Sequence, residues 1–166
     1  MLETRLKGRV WKYGDDVNTD VIFPGKYTYS ISDRKEMAQH ALEDLDPTFV
    51  EKVQPGDIIV AGKNWGCGSS REQAVICLKE AGVGAIVARS FARIYFRNCI
   101  NEGLPIVTCD AVDTVETGDQ ISIDFEAGKV FAPAQEYSFP PLAASVMEIL
   151  NAGGLVPHVR NKLGLD

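Results

Sequence analysis

The chain has little histidine and cysteine, and its cysteines are too far apart to suggest a metal site. There are two histidines and four cysteines among the 166 residues, and no Cys-x-x-Cys pair occurs. Spacings of that kind are typical of zinc and iron–sulfur ligands, so we expect this chain itself to carry no metal and no cofactor. We therefore predict that all four cysteines are reduced thiols: Cys67, Cys77, Cys99 and Cys109. Of these, Cys67 is the one candidate for reactivity, because it lies near a predicted helix N-terminus.

Long apolar runs and excess positive charge are also missing. No 18 consecutive residues are apolar, and the N-terminal stretch has no apolar core like that of a signal peptide. We therefore expect a cytoplasmic chain without a membrane segment. Lysine and arginine number 17 against 23 aspartate and glutamate, for a net charge of −6. This acidic balance argues against a nucleic-acid partner. The length and a hydrophobic content of 45% predict one domain over residues 1–166.

The most informative stretch is a predicted strand, glycine-rich loop and helix between residues 57 and 81. Asp57 to Ala61 is short and apolar, which favours a buried strand. Gly62, Gly66 and Gly68 then permit a sharp turn and a close approach of the backbone to a ligand. Ser69 and Ser70 each precede a Glu or Gln by three residues, the spacing of a capping box, and Gly82 is placed to end the helix. We thus predict that Ser69, Ser70 and Arg71 lie at a helix N-terminus, which favours an anion.

Two familiar nucleotide motifs do not fit this loop. The phosphate-binding pattern needs a lysine directly before the serine or threonine, whereas Lys63 precedes the later glycines. The dinucleotide pattern needs a third glycine, but Ser69, Ser70 and Arg71 follow Gly66-Cys67-Gly68. From the residues alone, the serines are either helix caps only or part of an anion site.

The flanking segments predict an α/β fold with a hairpin at its C-terminal end. Strands are predicted at 8–13, 85–88 and 104–108. One helix is predicted to follow Ser32 or Asp33, either of which can cap it, and to reach Leu45. Another is predicted at 91–101, capped by Ser90 and ending before Gly103. Alternating strands and helices imply parallel strands with crossover helices, and such sheets bind ligands at the carboxyl ends of their strands. A hairpin of 120–125 with 129–132, a helix from Pro140 to Leu150 and a polar surface tail complete the chain.

Three further patterns concern the possible site. Residues 14–20 form an acidic turn that lacks the glycine and distal glutamate of a calcium loop. Residues 26–31 follow Pro24-Gly25 and are predicted to be an exposed aromatic loop. Arg93 and Arg97 are four residues apart and share a helix face, where they serve either surface ion pairs or an anion or partner site.

Three stretches together resemble one known family. GDDVNTDVIFPGKY (14–27), GKNWGCGSSREQA (62–74) and ARSFARIYFRNCINEGLPIV (88–107) resemble the swivelling domain of the aconitase superfamily. The chain length is similar to that of the free-standing small subunits of 3-isopropylmalate dehydratase. The resemblance implies a three-layer β/β/α swivelling domain. It also implies a hydro-lyase, acting in leucine biosynthesis, that interconverts 2-isopropylmalate and 3-isopropylmalate by dehydration and rehydration.

The resemblance also implies partners and residue roles. Ser69 matches the serine base of the Ser-Ser-Arg motif, and Ser70 and Arg71 match ligands of a substrate carboxylate. Gly66, Gly68, Asp20, Arg93 and Arg97 match supporting positions. A four-iron four-sulfur cluster is expected on a large subunit, with which this chain would form a heterodimer or heterotetramer and bind a small hydroxy dicarboxylic acid.

Substrate choice is expected to depend on the loop after the Pro-Gly turn. In the family this loop contacts the group that differs between substrates, and members that handle an extra carboxylate tend to have an arginine there. This chain has no arginine in the loop, which consists of Tyr27, Thr28, Tyr29, Ser30 and Ile31. Burying a carboxylate there without a cation is unfavourable, so we expect a compact apolar substituent such as isopropyl. Dehydratases of dimethylmalate, citraconate or homoaconitate are the alternatives, together with a non-catalytic anion-binding regulatory module.

Overall fold

The structure, a computed structural model, describes residues 4–165, which form one seven-stranded sheet with helices. The strand order is β4-β3-β2-β1-β5-β6-β7. The strands are β1 (Arg5–Lys12), β2 (Ile58–Ala61), β3 (Ala85–Ala88), β4 (Ile106–Thr108), β5 (Gln120–Asp124), β6 (Lys129–Phe131) and β7 (Glu136–Ser138). The helices are α1 (Thr19–Ile22), α2 (Arg34–Ala38), α3 (Thr48–Lys52), α4 (Gln73–Glu80), α5 (Arg93–Glu102), α6 (Ala144–Ala152) and α7 (Leu155–Lys162).

The sheet has a parallel half and an antiparallel half that meet at β1. Strands β1 to β4 pair in parallel, with Val10 opposite Ile58 and Ile58 opposite Ala85. The other edge of β1 pairs antiparallel with β5, and β6 and β7 continue that half. The predicted parallel strands and C-terminal hairpin are therefore confirmed.

Successive residues of the central strands point to opposite faces and build two separate cores. On β3, Ile86 packs with the helices α4 and α5, whereas Val87 packs with Ile121 and Val130 of the antiparallel half. The parallel strands are therefore buried on both faces, which explains their nearly continuous apolar sequences. Helices, parallel strands and antiparallel strands thus form the three layers that the resemblance predicted.

The start of α4 differs from the prediction. The helix begins at Gln73 after Glu72, with no side-chain cap, so the expected capping by Ser69 and Ser70 is wrong. Gly68 has a φ of +92°, and the Ser69 carbonyl oxygen accepts a hydrogen bond from Thr19. The chain is therefore still turning at the serines, held by a contact from a distant segment.

Other helix ends were predicted with mixed success. Asp33 caps α2 by accepting from the Lys35 N–H, and Gly103 ends α5 in the left-handed conformation, as predicted. Ser90 does not cap α5; its hydroxyl oxygen accepts from the Asn64 N–H instead. Helix α2 ends at Ala38, earlier than expected, and hydrogen-bonded turns continue from there to Leu45, with Leu42 at a φ of +56°.

Some elements were not predicted. Helix α3 lies between Pro47 and Pro55, a stretch for which no element was predicted, and β7 extends the predicted hairpin. Helix α6 begins at Ala144 rather than at Pro140. The C-terminal tail contains helix α7, although nearly all of its residues are exposed. Within residues 4–165, no helix combines the length and apolar character needed to cross a membrane.

Candidate functional site

The glycine-rich loop, residues 62–72, lies at the carboxyl ends of the parallel strands, as predicted. On one side the Gly66 N–H donates to the Val17 carbonyl (2.8 Å) and the Thr19 N–H donates to the Cys67 carbonyl (2.9 Å). On the other side the Trp65 carbonyl accepts from the Ala92 N–H (2.9 Å). The loop is thus held between the segments that follow β1 and β3, where open α/β sheets bind ligands.

Gly66 has to be glycine in this arrangement. Its φ is +83°, and a Cβ atom at this position would lie 2.2 Å from Cγ of Tyr95. Tyr95 is buried, and its hydroxyl donates to the Ala74 carbonyl (2.9 Å) at the start of α4. The absent side chain therefore lets α5 pack directly against the loop.

A cavity of about 440 Å³ opens between this loop and the first turns of α5. The size is within the usual range for small-ligand sites. Six of the thirteen predicted site residues line the cavity: Gly66, Gly68, Ser70, Arg71, Arg93 and Arg97. The other lining residues are Thr19, Ala92, Ile94, Tyr95 and Asn98.

The two serines are exposed on the loop. Ser70 lines the cavity, whereas Ser69 lies next to it in the chain and is fixed through its backbone carbonyl, which accepts from the Thr19 hydroxyl (2.7 Å). The serine hydroxyls thus point away from the buried core and are available to a ligand or a partner.

Arg71 is largely buried and connects three parts of the site. Its Nη1 donates to the hydroxyl of Thr28 (2.5 Å), and its Nη2 donates to the carbonyl oxygens of Thr19 (2.9 Å) and Phe23 (2.6 Å). Nη2 also lies 3.0 Å from the carboxylate of Asp20, the predicted supporting residue. Among the described residues, the buried Nε–H of Arg71 has no acceptor. This Nε–H is thus unsatisfied within the described residues, while the guanidinium as a whole contributes to the cavity wall.

Arg93 and Arg97 line the same cavity and are exposed. The ion pairs within residues 4–165 involve other basic side chains, so neither guanidinium is neutralised there. Helix α5 begins at Arg93 without a side-chain cap, and its first turn forms part of the wall. The N-terminus that faces the cavity is thus that of α5, not that of α4 as the sequence suggested. Together these groups favour an anion.

The aromatic loop, residues 26–31, is only partly exposed, contrary to the prediction. Tyr27 packs on His40 with ring centroids 4.1 Å apart, and its hydroxyl donates to Glu43 (3.1 Å). Ile31 is buried, which leaves Tyr29 and Ser30 at the exposed tip. The Lys26 ammonium lies 3.9 Å from Glu43. Hydrogen bonding to His40, followed by that to Tyr27, lowers the pKa of the Glu43 carboxyl, so this anchor is an anion.

Sequence reasoning missed Thr19. It lies in a polar run that is typical of turns, and nothing local indicates that it contacts a loop about 50 positions later. Its hydroxyl is nevertheless the group that bonds to Ser69, and it is 1% exposed. The only local signal is its place directly after Asn18, which caps α1 by accepting from the Val21 N–H.

The cysteines do not come together to hold a metal. Cys77 and Cys99 are buried in α4 and α5, and Cys109 follows β4. Burial raises the pKa of all three thiols, which opposes the thiolate form that binds metals. Within residues 4–165, no three His, Cys, Asp or Glu side chains form a metal-binding group. The side chains between residues 4 and 165 therefore do not fit an iron–sulfur cluster.

Comparisons with known proteins agree with this architecture. Residues 18–111 match the family model of the aconitase C-terminal domain. The 3-isopropylmalate dehydratase small subunits of Caldicellulosiruptor bescii and Thermodesulfovibrio yellowstonii are 50% and 44% identical to the chain. The alignments cover 97% and 98% of this chain and 98% of each relative.

A solved structure extends the agreement to three dimensions. The crystal structure of 3-isopropylmalate dehydratase from Methanocaldococcus jannaschii superimposes with a TM-score of 0.90 at 42% identity. The match covers 96% of this chain and 95% of that one. On its sequence motifs, its three-layer fold and these relatives, the chain belongs to the family of small subunits of 3-isopropylmalate dehydratase.

Proposed function

We propose that this chain is the small subunit of a hydro-lyase that interconverts 2-isopropylmalate and 3-isopropylmalate in leucine biosynthesis. The relatives named above are small subunits of 3-isopropylmalate dehydratase, and they match nearly the whole chain. The reaction moves a hydroxyl between adjacent carbons. Water is lost to give an alkene and is then added back with the opposite placement of hydroxyl and hydrogen.

The observation that carries the proposal is the cationic cavity beside the glycine-rich loop. Arg71, Arg93 and Arg97 line one space together with Ser70 and the first turn of α5. A dicarboxylic acid needs such a site, because a carboxylate taken from water must be paired with donors or cations. The guanidinium of Arg71 and the hydroxyl of Ser70, which both belong to the cavity wall, are suited to bind one of its carboxylates.

In this proposal Ser69 is the base that removes the proton from the carbon next to a carboxylate. A serine hydroxyl is a weak base, so its alkoxide has to be stabilised by nearby positive charge and N–H donors. The free guanidinium groups of Arg93 and Arg97 and the uncapped start of α5 supply these on the adjoining wall. In the rehydration half-reaction, the Ser69 hydroxyl gives its proton to the alkene carbon that had lost the hydroxyl, and the neighbouring carbon takes the hydroxide.

A second protein has to complete the site. The cavity is open, and the serines face outwards, so one side of a bound substrate would remain in water. We propose that a large subunit closes the cavity in a heterodimer or heterotetramer in the cytoplasm. The four-iron four-sulfur cluster implied by the family is assigned to that subunit, since the thiols of this chain do not gather.

Co-expression with the large subunit of the same organism under anaerobic conditions tests the proposal. The two-subunit preparation is assayed against isopropylmalate, dimethylmalate, citraconate and homoaconitate by the absorbance of the alkene. We expect isopropylmalate to give the highest kcat/KM, and only when both subunits are present.

Two results would overturn the proposal. A higher kcat/KM for another of these acids would assign the chain to a related dehydratase. Binding of the acids without turnover by the assembled subunits would instead favour a regulatory anion-binding module.

A further inference from the structure

Thr19 makes hydrogen bonds with three alternate residues of the glycine-rich loop, two to backbone carbonyls and one from the side chain of Arg71. Its N–H donates to the Cys67 carbonyl (2.9 Å), its hydroxyl donates to the Ser69 carbonyl (2.7 Å), and its carbonyl accepts from Arg71 (2.9 Å). One residue of α1 therefore follows the loop from Cys67 to Arg71.

The hydroxyl contact is the one that reaches the serines. Gly68, with a φ of +92°, precedes Ser69, and both serines are exposed. Of the hydrogen bonds formed within residues 4–165, the bond from Thr19 is the one that holds Ser69. Without this hydrogen bond, no contact with α1 would fix the orientation of the Ser69 backbone.

A bond to the Ser69 carbonyl fixes the peptide plane between Ser69 and Ser70, because that plane is rigid. Fixing the plane also limits the directions in which the two side chains leave the backbone. A base must lie within hydrogen-bond reach of the proton that it removes, and a displacement of about 1 Å can lower a rate by about a hundredfold.

We infer that Thr19 is a positioning residue, whose hydroxyl orients Ser69 for proton transfer. The inference rests on the proposed function, in which Ser69 is the base. Thr19 lines the cavity at 1% exposure, so the donor of this bond is shielded from water although the acceptor residue, Ser69, is exposed.

The test compares Thr19→Val, which keeps the shape and removes the hydroxyl, with Thr19→Ser, which keeps the hydroxyl. In the assembled enzyme, we expect Thr19→Val to lower kcat by about ten- to a hundredfold, with KM changed less than about twofold. Thr19→Ser should restore most of the lost kcat. A role in stability alone would not produce this separation of kcat from KM together with rescue by serine.

Thr114→Val is the matched control. The Thr114 hydroxyl also donates to a backbone carbonyl, that of Ala111 (3.3 Å), but Thr114 is not in the cavity wall. We expect its kcat to equal that of the wild type. If Thr19→Val does not fold, Thr19→Ala takes its place. A kcat of Thr19→Val within twofold of the wild type, or no rescue by Thr19→Ser, would overturn the inference.

Backbone ¹⁵N relaxation of the isolated chain separates this inference from the proposed function. We expect Thr19→Val to lower the order parameters of residues 69–71 to below about 0.6 and to leave those of the strands unchanged. An inactive wild-type complex would overturn the proposed function, whereas unchanged order parameters in the loop would overturn the role of Thr19.

Discussion

Ser69 is held by its backbone and not by its side chain, which separates its structural and chemical roles. The hydrogen bond from Thr19 ends on the Ser69 carbonyl, which any residue at this position retains. The exposed hydroxyl can therefore be removed without disturbing the loop.

We accordingly predict that Ser69→Ala lowers kcat of the assembled enzyme by about 10²- to 10⁴-fold, the usual contribution of a general base. The midpoint of thermal unfolding should stay within about 1 °C of the wild type, because an exposed position contributes little to stability. Ser70→Ala is the matched control, since it removes a neighbouring hydroxyl that lines the cavity and should mainly raise KM. A decrease in kcat of less than about tenfold for Ser69→Ala, or roughly 1.4 kcal/mol of barrier, would mean that another group takes the proton.

Gly66 permits a second prediction at the scale of one residue. Gly66→Ala places a Cβ atom 2.2 Å from the Tyr95 ring, whereas Gly118→Ala, also at positive φ (+98°), meets nothing within 4 Å. We expect Gly118→Ala to cost about 1 kcal/mol of backbone strain and Gly66→Ala to cost about 1–3 kcal/mol more through overpacking. Urea unfolding of the isolated chain measures both values. Equal losses would show that backbone strain, not contact with Tyr95, accounts for the effect.

At the scale of elements, the aromatic loop, residues 26–31, has an exposed tip and ends that are held by contacts with the rest of the chain. Tyr27 is packed on His40, Thr28 accepts from Arg71 and Ile31 is buried, so a change at Tyr29 leaves all three contacts in place. The loop is therefore suited to vary one exposed side chain on a fixed support.

We predict that Tyr29→Arg shifts the preference of the enzyme towards acids with an additional carboxylate. A guanidinium at the tip can pair with that carboxylate, and a charge-assisted hydrogen bond contributes about 1.5–3 kcal/mol. The ratio of kcat/KM for homocitrate-type acids to that for isopropylmalate should therefore rise at least about tenfold. Tyr29→Gln, neutral and exposed in the same way, is the control and should leave the ratio low. If the wild type already prefers the tricarboxylic acids, our interpretation of the loop is wrong.

The elements also show what sequence patterns can predict in this chain. Apolar runs such as Ala85–Ala88 predicted the buried strands correctly, because burial on both faces leaves no polar position. Gly103 and Asp33 were read correctly because their roles depend on their immediate neighbours. The caps assigned to Ser69 and Ser90 were wrong because both residues are held by contacts with distant segments, which a local pattern does not contain.

In the candidate site, too, local patterns predicted some features, and others depend on contacts between distant segments. Gly66, Ser70, Arg71, Arg93 and Arg97, which the motifs had grouped as site residues, lie together in one cavity wall, and their roles there stay predictions. The sequence could not indicate that α5 rather than α4 presents its N-terminus to the cavity, or that Thr19 reaches the loop. Both depend on how the segments after three parallel strands meet at one edge of the sheet.

At the scale of the whole molecule, the parallel strands carry both cores and the site. Ile86 and Val87 are adjacent in β3 yet belong to opposite cores. The four parallel strands, β1 to β4, therefore pack against helices on one face and against antiparallel strands on the other. The cavity lies at one end of this shared layer and opens outwards. A complete catalyst would then require a second protein over that opening.

We therefore predict that the purified chain alone contains no iron and does not dehydrate isopropylmalate. Three of its thiols are buried on separate elements with raised pKa values, and Cys67 stands alone in the loop, so a cluster would find no set of thiolate ligands. An open cavity would also leave the proposed base in water, where its alkoxide is not stabilised. The measurement is iron content and alkene formation after anaerobic incubation with iron and sulfide, with the assembled two-subunit enzyme as the positive control. Stoichiometric iron in the lone chain, or turnover without the large subunit, would contradict the division of labour proposed for the two subunits.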